Sequence, residues 1–174
     1  PTGIIGILGE KLIKNASDTL LVPGICLLIT GVLLLISDRV QNCYKIPKDV
    51  TYKEGVLVGA AQGLATLPGL SRSGTTITAC LLCGFDRKFA VKYSFILSIP
   101  AILGAAVLEI KDVGQEVITG GMVGTYAAGM VAAAIVGYIC IRSMLVVVKN
   151  KKFKYFAYYC FAVGVISIIG NFVL

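Results

Sequence analysis

In the run LATLPGLSRSGTTITACLL, residues 64–82, Arg72 stands between Ser71 and Ser73, with Pro68, Gly69, Gly74, Thr75 and Thr76 close by and apolar residues at both ends. A guanidinium is a planar, permanently charged fork that meets two oxygens of a phosphate at once. Proline and glycine end helices and serine caps new ones, so Pro68 and Gly69 close one helix and Ser71 or Ser73 opens the next. The first N–H groups of a helix carry the positive end of its dipole. This pattern predicts that the N–H groups of Ser73, Gly74 and Thr75 point at an anion beside Arg72. Small residues on either side let a bulky anion approach. Arg72, three or four hydroxyls and a helix N-terminus are what a phosphate pocket needs. The competing reading makes Arg72 a structural tie that snorkels or pairs with an acid. It accounts for the charge but not for the serines, glycines and threonines around it.

The surroundings make that arginine costly. Of 174 residues, 57% are hydrophobic and only 14% charged, and the mean hydropathy is +0.89. Soluble domains are nearer 45–50% apolar and about 25% charged. The chain reads as an integral membrane protein, where an arginine at the centre of a spanning helix costs roughly 2.5–3.5 kcal/mol on the lenient insertion scale. The sequence opens PTGIIGILGEKLIKN, without methionine or a basic leader. Its first twelve residues resemble the tail of an apolar segment already under way, so the expectation is the C-terminal portion of a longer protein.

The net charge of +7 raises the question of nucleic acid. In a polytopic membrane protein, lysine and arginine gather in cytoplasmic loops, and topology explains the excess more simply. The six cysteines include a C-x-x-C pair, Cys80 and Cys83, but the chain has no histidine and five of the six lie in apolar segments. There, cysteine behaves as a small hydrophobe. No metal is expected from them.

Four segments are apolar enough to span: residues 19–36, 89–108, 122–141 and 155–174. Residues 38–53, 86–88 and 142–154 are basic loops, and 109–121 is acidic. The remaining stretch, 55–85, divides around the polar tip into arms of 13 and 11 residues, 55–67 and 75–85, each about half a span. If it dips in and returns, every basic loop faces the cytoplasm and the acidic loop faces out, as the positive-inside rule favours. The prediction is an all-α polytopic membrane protein with a re-entrant helical hairpin whose tip, 68–76, lines a polar cavity.

The residues from Gln62 to Ile77, QGLATLPGLSRSGTTI, resemble the P-G-x-S-R-S-G-x-T-I signature of the undecaprenyl-diphosphate phosphatases, the bacitracin-resistance membrane family. The likeness extends through GFDRKFAVKYSFILSIPAILGAA, residues 84–106, with Arg87, Ala90, Ser94, Phe95 and Pro100 at their family positions. Tyr93 stands where Phe or Glu is common. The rest of the chain fits in hydrophobic layout. The family also carries an earlier motif, E-G-L-T-E-F-L-P-x-S-S-x-G-H, which this sequence lacks. The two motifs align without gaps, with Gln62 on the first Glu, Thr66 on the second, Ser71 on the first Ser and Gly74 on Gly. That is the mark of an inverted repeat with its site at the repeat interface, and this chain reads as the second repeat.

The resemblance implies hydrolysis of the terminal phosphate of undecaprenyl diphosphate, a lipid carrier for cell-wall precursors, in the bacterial plasma membrane. Arg72 would clamp the diphosphate and stabilise transferred charge, with Ser71, Ser73 and Thr76 bonding its oxygens and setting register. Gly69, Gly74, Thr75 and Gln62 would complete the substrate site. A divalent cation, Mg2+ or Ca2+, would be held mainly by the glutamates of the absent motif, whose serine is the better nucleophile than Ser71. The partners implied are the lipid diphosphate and the membrane, with a homodimer admitted and nucleic acid excluded. On this reading the 174 residues alone are inactive. A second reading is a lipid-phosphate transporter with an anion site at the hairpin. A third, a purely structural subunit, leaves the cost of Arg72 unexplained.

Overall fold

The computed structural model describes residues 1–6, 9, 19–113, 120–150 and 152–173. Among these, six helices follow one another: α1 Leu21–Arg39, α2 Tyr52–Leu64, α3 Arg72–Leu82, α4 Arg87–Val113, α5 Gly120–Lys149 and α6 Phe153–Val173. Residues 2–6 are also helical, and a 3-10 turn covers Pro47–Asp49. The described residues contain no strand, only an isolated parallel bridge between Lys45 and Phe85. The fold is all-α. Four helices hold segments long and apolar enough to cross a membrane: Leu21–Arg39, Arg87–Val107, Gly124–Val148 and Phe153–Phe172. Ile96, Val131 and Ile166 on these helices are largely exposed, as lipid-facing side chains would be.

The long helices outrun the apolar segments. α4 takes in Glu109, Lys111 and Asp112, and α5 takes in Arg142, all expected in loops. Hydropathy marks where hydrocarbon is crossed, whereas helical hydrogen bonding can continue past it. Residues 114–119 of the expected acidic loop lie outside the described residues.

α1 and α6 pack closely along their length, because small residues let the backbones meet. A Cβ added to Gly24 would lie 2.7 Å from Ile168 Cγ1 and 3.1 Å from the Gly164 carbonyl oxygen. At Gly31 it would meet the Phe161 ring at 2.7 Å. Such contacts replace the hydrophobic drive that lipid removes.

α2 and α3, of 13 and 11 residues, form the hairpin. α2 begins at Tyr52 because Thr51 and Glu54 make a reciprocal cap: the Glu54 N–H donates to Thr51 Oγ1 at 3.4 Å and the Thr51 N–H to Glu54 Oε2 at 2.8 Å. Lys45 pairs with Glu54 and holds its carboxyl down to about 2. At the far end of α3, the N–H groups of Tyr44 and Lys45 donate to the Gly84 carbonyl at 3.1 and 2.9 Å, and the Asp86 N–H donates to the Lys45 carbonyl at 2.9 Å. The outer ends of both arms therefore meet one loop, 40–50.

This geometry makes a topological prediction. Exposed Lys48 and Lys88, each replaced by cysteine, should react with an impermeant thiol reagent from the same membrane face. A cysteine at Asp112, about 36 Å along α4 from position 88, should react from the other. Labelling of positions 48 and 88 from opposite faces would mean that the hairpin crosses the bilayer.

Candidate active site

Ser71 is the N-cap of α3, and its Oγ accepts the Gly74 N–H at 3.2 Å. The Thr75 N–H bonds the Ser71 carbonyl at 2.9 Å. Two of the three N–H groups expected to face an anion are thus taken up within the helix. Because the cap is Ser71 and not Ser73, the frame moves toward the N-terminus. The unpaired donors of the first turn are the N–H groups of Arg72 and Ser73, the set an N-terminus leaves for a ligand. The Arg72 side chain is exposed and makes no ion pair among the described residues. The structural-tie reading required such a pair or a route to the surface. Here the guanidinium lines a cleft.

That cleft has a volume of about 700 Å3. Gln62 and Thr66 of the first hairpin arm, Thr2 of the N-terminal turn, and Leu97 and Pro100 of α4 line it together with Arg72. Gln62 lies in the last turn of α2 and Thr66 two residues beyond its end, and both line the cleft. Gln62 is 1% exposed; its Nε2 donates to the Leu97 carbonyl at 3.3 Å and to Thr2 Oγ1 at 3.4 Å, and its Oε1 has no partner. Gly55, Gly59 and Gly63 form a stripe at four-residue intervals on α2, and the N-terminal turn comes close at Gly59 and Gly63. A Cβ at Gly63 would lie 2.8 Å from Ile5, and one at Gly59 would lie 3.5 Å from Pro1. This stripe is legible in the sequence as G-x-x-x-G-x-x-x-G.

The tip is pinned from outside. Gly69 adopts φ +87°, and a Cβ there would lie 2.3 Å from the Pro23 carbonyl oxygen. Thr30 of α1, buried, accepts the Ser71 N–H at 3.0 Å and lies 3.3 Å from the Gly69 carbonyl. Sequence reasoning missed Thr30. Its only signal is a hydroxyl before a glycine in an aliphatic span.

The side chains of the other expected site residues do not line the cleft. Thr76 is fully buried, bonds the Arg72 carbonyl at 2.9 Å and shares a short hydrogen bond with Ser94 of α4. It ties α3 to α4 rather than facing an anion. Thr75 is buried with Oγ1 unpartnered, and Gly74 is buried against Ser71 and Leu34. Ser73 is half-buried beside Arg72. A second, smaller cavity of about 410 Å3 lies at the start of α4, by Arg87 and Lys88. Arg87 is committed elsewhere: its Nη2 donates to the Ser37 and Val40 carbonyls at 3.2 and 2.8 Å, closing the end of α1.

No group of three His, Cys, Asp or Glu side chains among the described residues could hold a metal ion, and no residue lining the cleft is a carboxylate. These residues do not fit a divalent cation by themselves.

Against known families, residues 1–166 match the model of the bacitracin resistance protein BacA. The chain belongs to the BacA family. The undecaprenyl-diphosphatase of Halothermothrix orenii is 44% identical over 172 residues, covering 97% of this chain and 65% of that protein. The one from Methanobrevibacter smithii is 42% identical over 172 residues, covering 98% and 61%. This chain thus spans less than two thirds of the length of either relative. The undecaprenyl-diphosphatase of Methanothermobacter thermautotrophicus is 43% identical over 169 residues, covering 95% of this chain and 92% of that protein.

Proposed function

We propose that this BacA-family chain carries the diphosphate-binding hairpin of an undecaprenyl-diphosphate phosphatase, acting on the lipid carrier in the plasma membrane. One observation supports this above the others: Arg72, free of any acid among the described residues, shares the first turn of α3 with two unpaired N–H groups and lines a cleft between helices. The relatives' name supplies the reaction class.

In the net reaction, water is consumed, the bridging P–O bond breaks, and the lipid diphosphate becomes inorganic phosphate and the lipid monophosphate. Arg72 binds two oxygens of the terminal phosphate, and the Arg72 and Ser73 N–H groups bind a third. These donors are fixed before charge builds on the transferred oxygens, which is how such sites lower a phosphoryl-transfer barrier. Ser71 spends one lone pair on the Gly74 N–H and keeps its hydroxyl proton for a phosphate oxygen. Nothing among the residues lining the cleft could act as its base, so Ser71 binds rather than attacks. Gln62 and Thr66 give the cleft neutral polar groups beside the anion, and Thr76 acts through α4 by holding the first turn in place. Any divalent cation of the reaction is held mainly by groups other than these.

The test is release of inorganic phosphate from undecaprenyl diphosphate by the purified full-length protein that contains these residues, in detergent, where no movement across a membrane can occur. Multiple-turnover release supports the phosphatase reading. Stoichiometric lipid binding without release would favour a transporter.

A further inference from the structure

We propose that Thr30 is a positioning residue of this phosphate site, holding the N-cap of α3 in the one frame that leaves the Arg72 and Ser73 N–H groups free. The inference rests on the anion-site reading above. Thr30 lies in the middle of α1, 41 residues from Ser71 in sequence, and is 2% exposed. Its hydroxyl has one proton and two lone pairs. One lone pair accepts the Ser71 N–H at 3.0 Å. The proton goes either to the Cys26 carbonyl at 3.0 Å, within α1, or to the Gly69 carbonyl at 3.3 Å, across to the tip. In both arrangements the Ser71 N–H is satisfied.

That N–H is the critical one. Gly69 turns the chain at φ +87°, Leu70 follows, and Ser71 must then present its Oγ to the Gly74 N–H. With its own N–H bonded sideways to α1, the Ser71 backbone is fixed in extended conformation, at φ −65° and ψ 112°. Without Thr30, a buried donor at the tip is left bare, and in a nonpolar setting it will seek another acceptor. The nearest remedies rotate residues 70–72 and shift the cap toward Ser73. That shift moves the free N–H groups off Arg72.

A neighbouring threonine separates positioning from mere packing. Thr78 on α3 also bridges to α1, donating to the Leu33 carbonyl at 3.2 Å as well as to the Gly74 carbonyl at 2.7 Å. Its one proton is shared between these two carbonyls, so it makes the same kind of buried tie, away from the tip.

The experiment compares wild type with Thr30→Val, Thr30→Ser, Thr30→Cys and Thr78→Val, each made in the full-length protein that contains these residues, in lipid nanodiscs. For each, kcat and KM for prenyl-diphosphate hydrolysis, the Kd for inorganic pyrophosphate and the melting temperature are measured. Thr30→Val, which keeps shape and removes the acceptor, should lose roughly 10²-fold in kcat. Its pyrophosphate binding should weaken by roughly tenfold. Thr30→Ser should restore both, and Thr30→Cys, a poorer acceptor, should fall between them. Thr78→Val should melt lower and keep its kcat. The proposal is overturned if Thr30→Val or, where that variant does not fold, Thr30→Cys matches wild type. It is overturned equally if Thr30→Ser is as impaired as Thr30→Val, or if Thr78→Val loses the same kcat. Should no form release phosphate, the phosphatase reading fails, and the order of pyrophosphate affinities alone decides the role of Thr30.

Discussion

Arg72→Lys is expected to lower kcat for phosphate release by roughly 10²–10³-fold, the usual cost of removing one fixed donor from a charge-stabilising site. The substitution keeps the positive charge, and Arg72 makes no ion pair or side-chain hydrogen bond among the described residues whose loss could unfold the hairpin. What changes is geometry. Guanidinium presents two parallel N–H groups in one plane, whereas ammonium is a compact point charge on a flexible stem. Ground-state attraction for a diphosphate survives, so KM should move less than kcat. The loss should then appear mainly as weakened transition-state binding. Steady-state phosphate release by the full-length protein and its lysine variant, with melting temperatures alongside, checks it. Near-normal turnover for the lysine variant would remove Arg72 from the role assigned here.

The second large effect is at Gly69. Alanine there would carry its Cβ to 2.3 Å from the Pro23 carbonyl oxygen and 2.8 Å from Pro23 Cα. Both are backbone atoms, so no rotamer relieves the clash. The φ of +87° adds strain, which for a non-glycine residue costs roughly 1–3 kcal/mol. Gly84 provides the comparison. It has φ +84°, but the nearest atom to an added Cβ is 3.6 Å away. Gly84→Ala should therefore show backbone strain alone, and Gly69→Ala should melt well below it. Gly69→Ala should also lose turnover, because relief of the clash pushes the tip away from α1 and breaks the Thr30 contact. Equal melting temperatures for the two variants would mean that the close approach to Pro23 does not hold the tip.

How far the sequence revealed this site varies by residue. A charged fork among serines, with helix breakers before it, is chemically conspicuous in an apolar run, and Arg72 needed no structure to be noticed. The choice of Ser71 over Ser73 as cap did. Both serines follow Pro68 and Gly69 closely, and what selects between them is a hydroxyl on α1, far away in sequence. Thr76 misled for a related reason. It lies one turn beyond Arg72 on the same face of α3, where α4 closes over it. Its short side chain ends on Ser94, while the long side chain of Arg72 continues past to the cleft. Local pattern gives the face, and only packing says how far along that face solvent reaches. The far end of α4 was hidden differently, because Glu109 looks like a loop residue on a hydropathy scale, whereas the helix runs on to Val113, past the apolar segment that ends at Val107. The glycine stripe of α2 was legible but has meaning only against residues 1–6, which form the other side of the cleft.

The most direct measurement of the central claim is a structure of the protein in nanodiscs with a prenyl methylene-diphosphonate, whose P–C–P link cannot be hydrolysed. The terminal phosphonate should lie in the cleft between α2, α3 and α4. Two of its oxygens should meet the Arg72 guanidinium, and a third should lie within hydrogen-bonding distance of the Arg72 and Ser73 N–H groups. A phosphonate seated instead in the cavity by Arg87 and Lys88, with Arg72 out of reach, would contradict it.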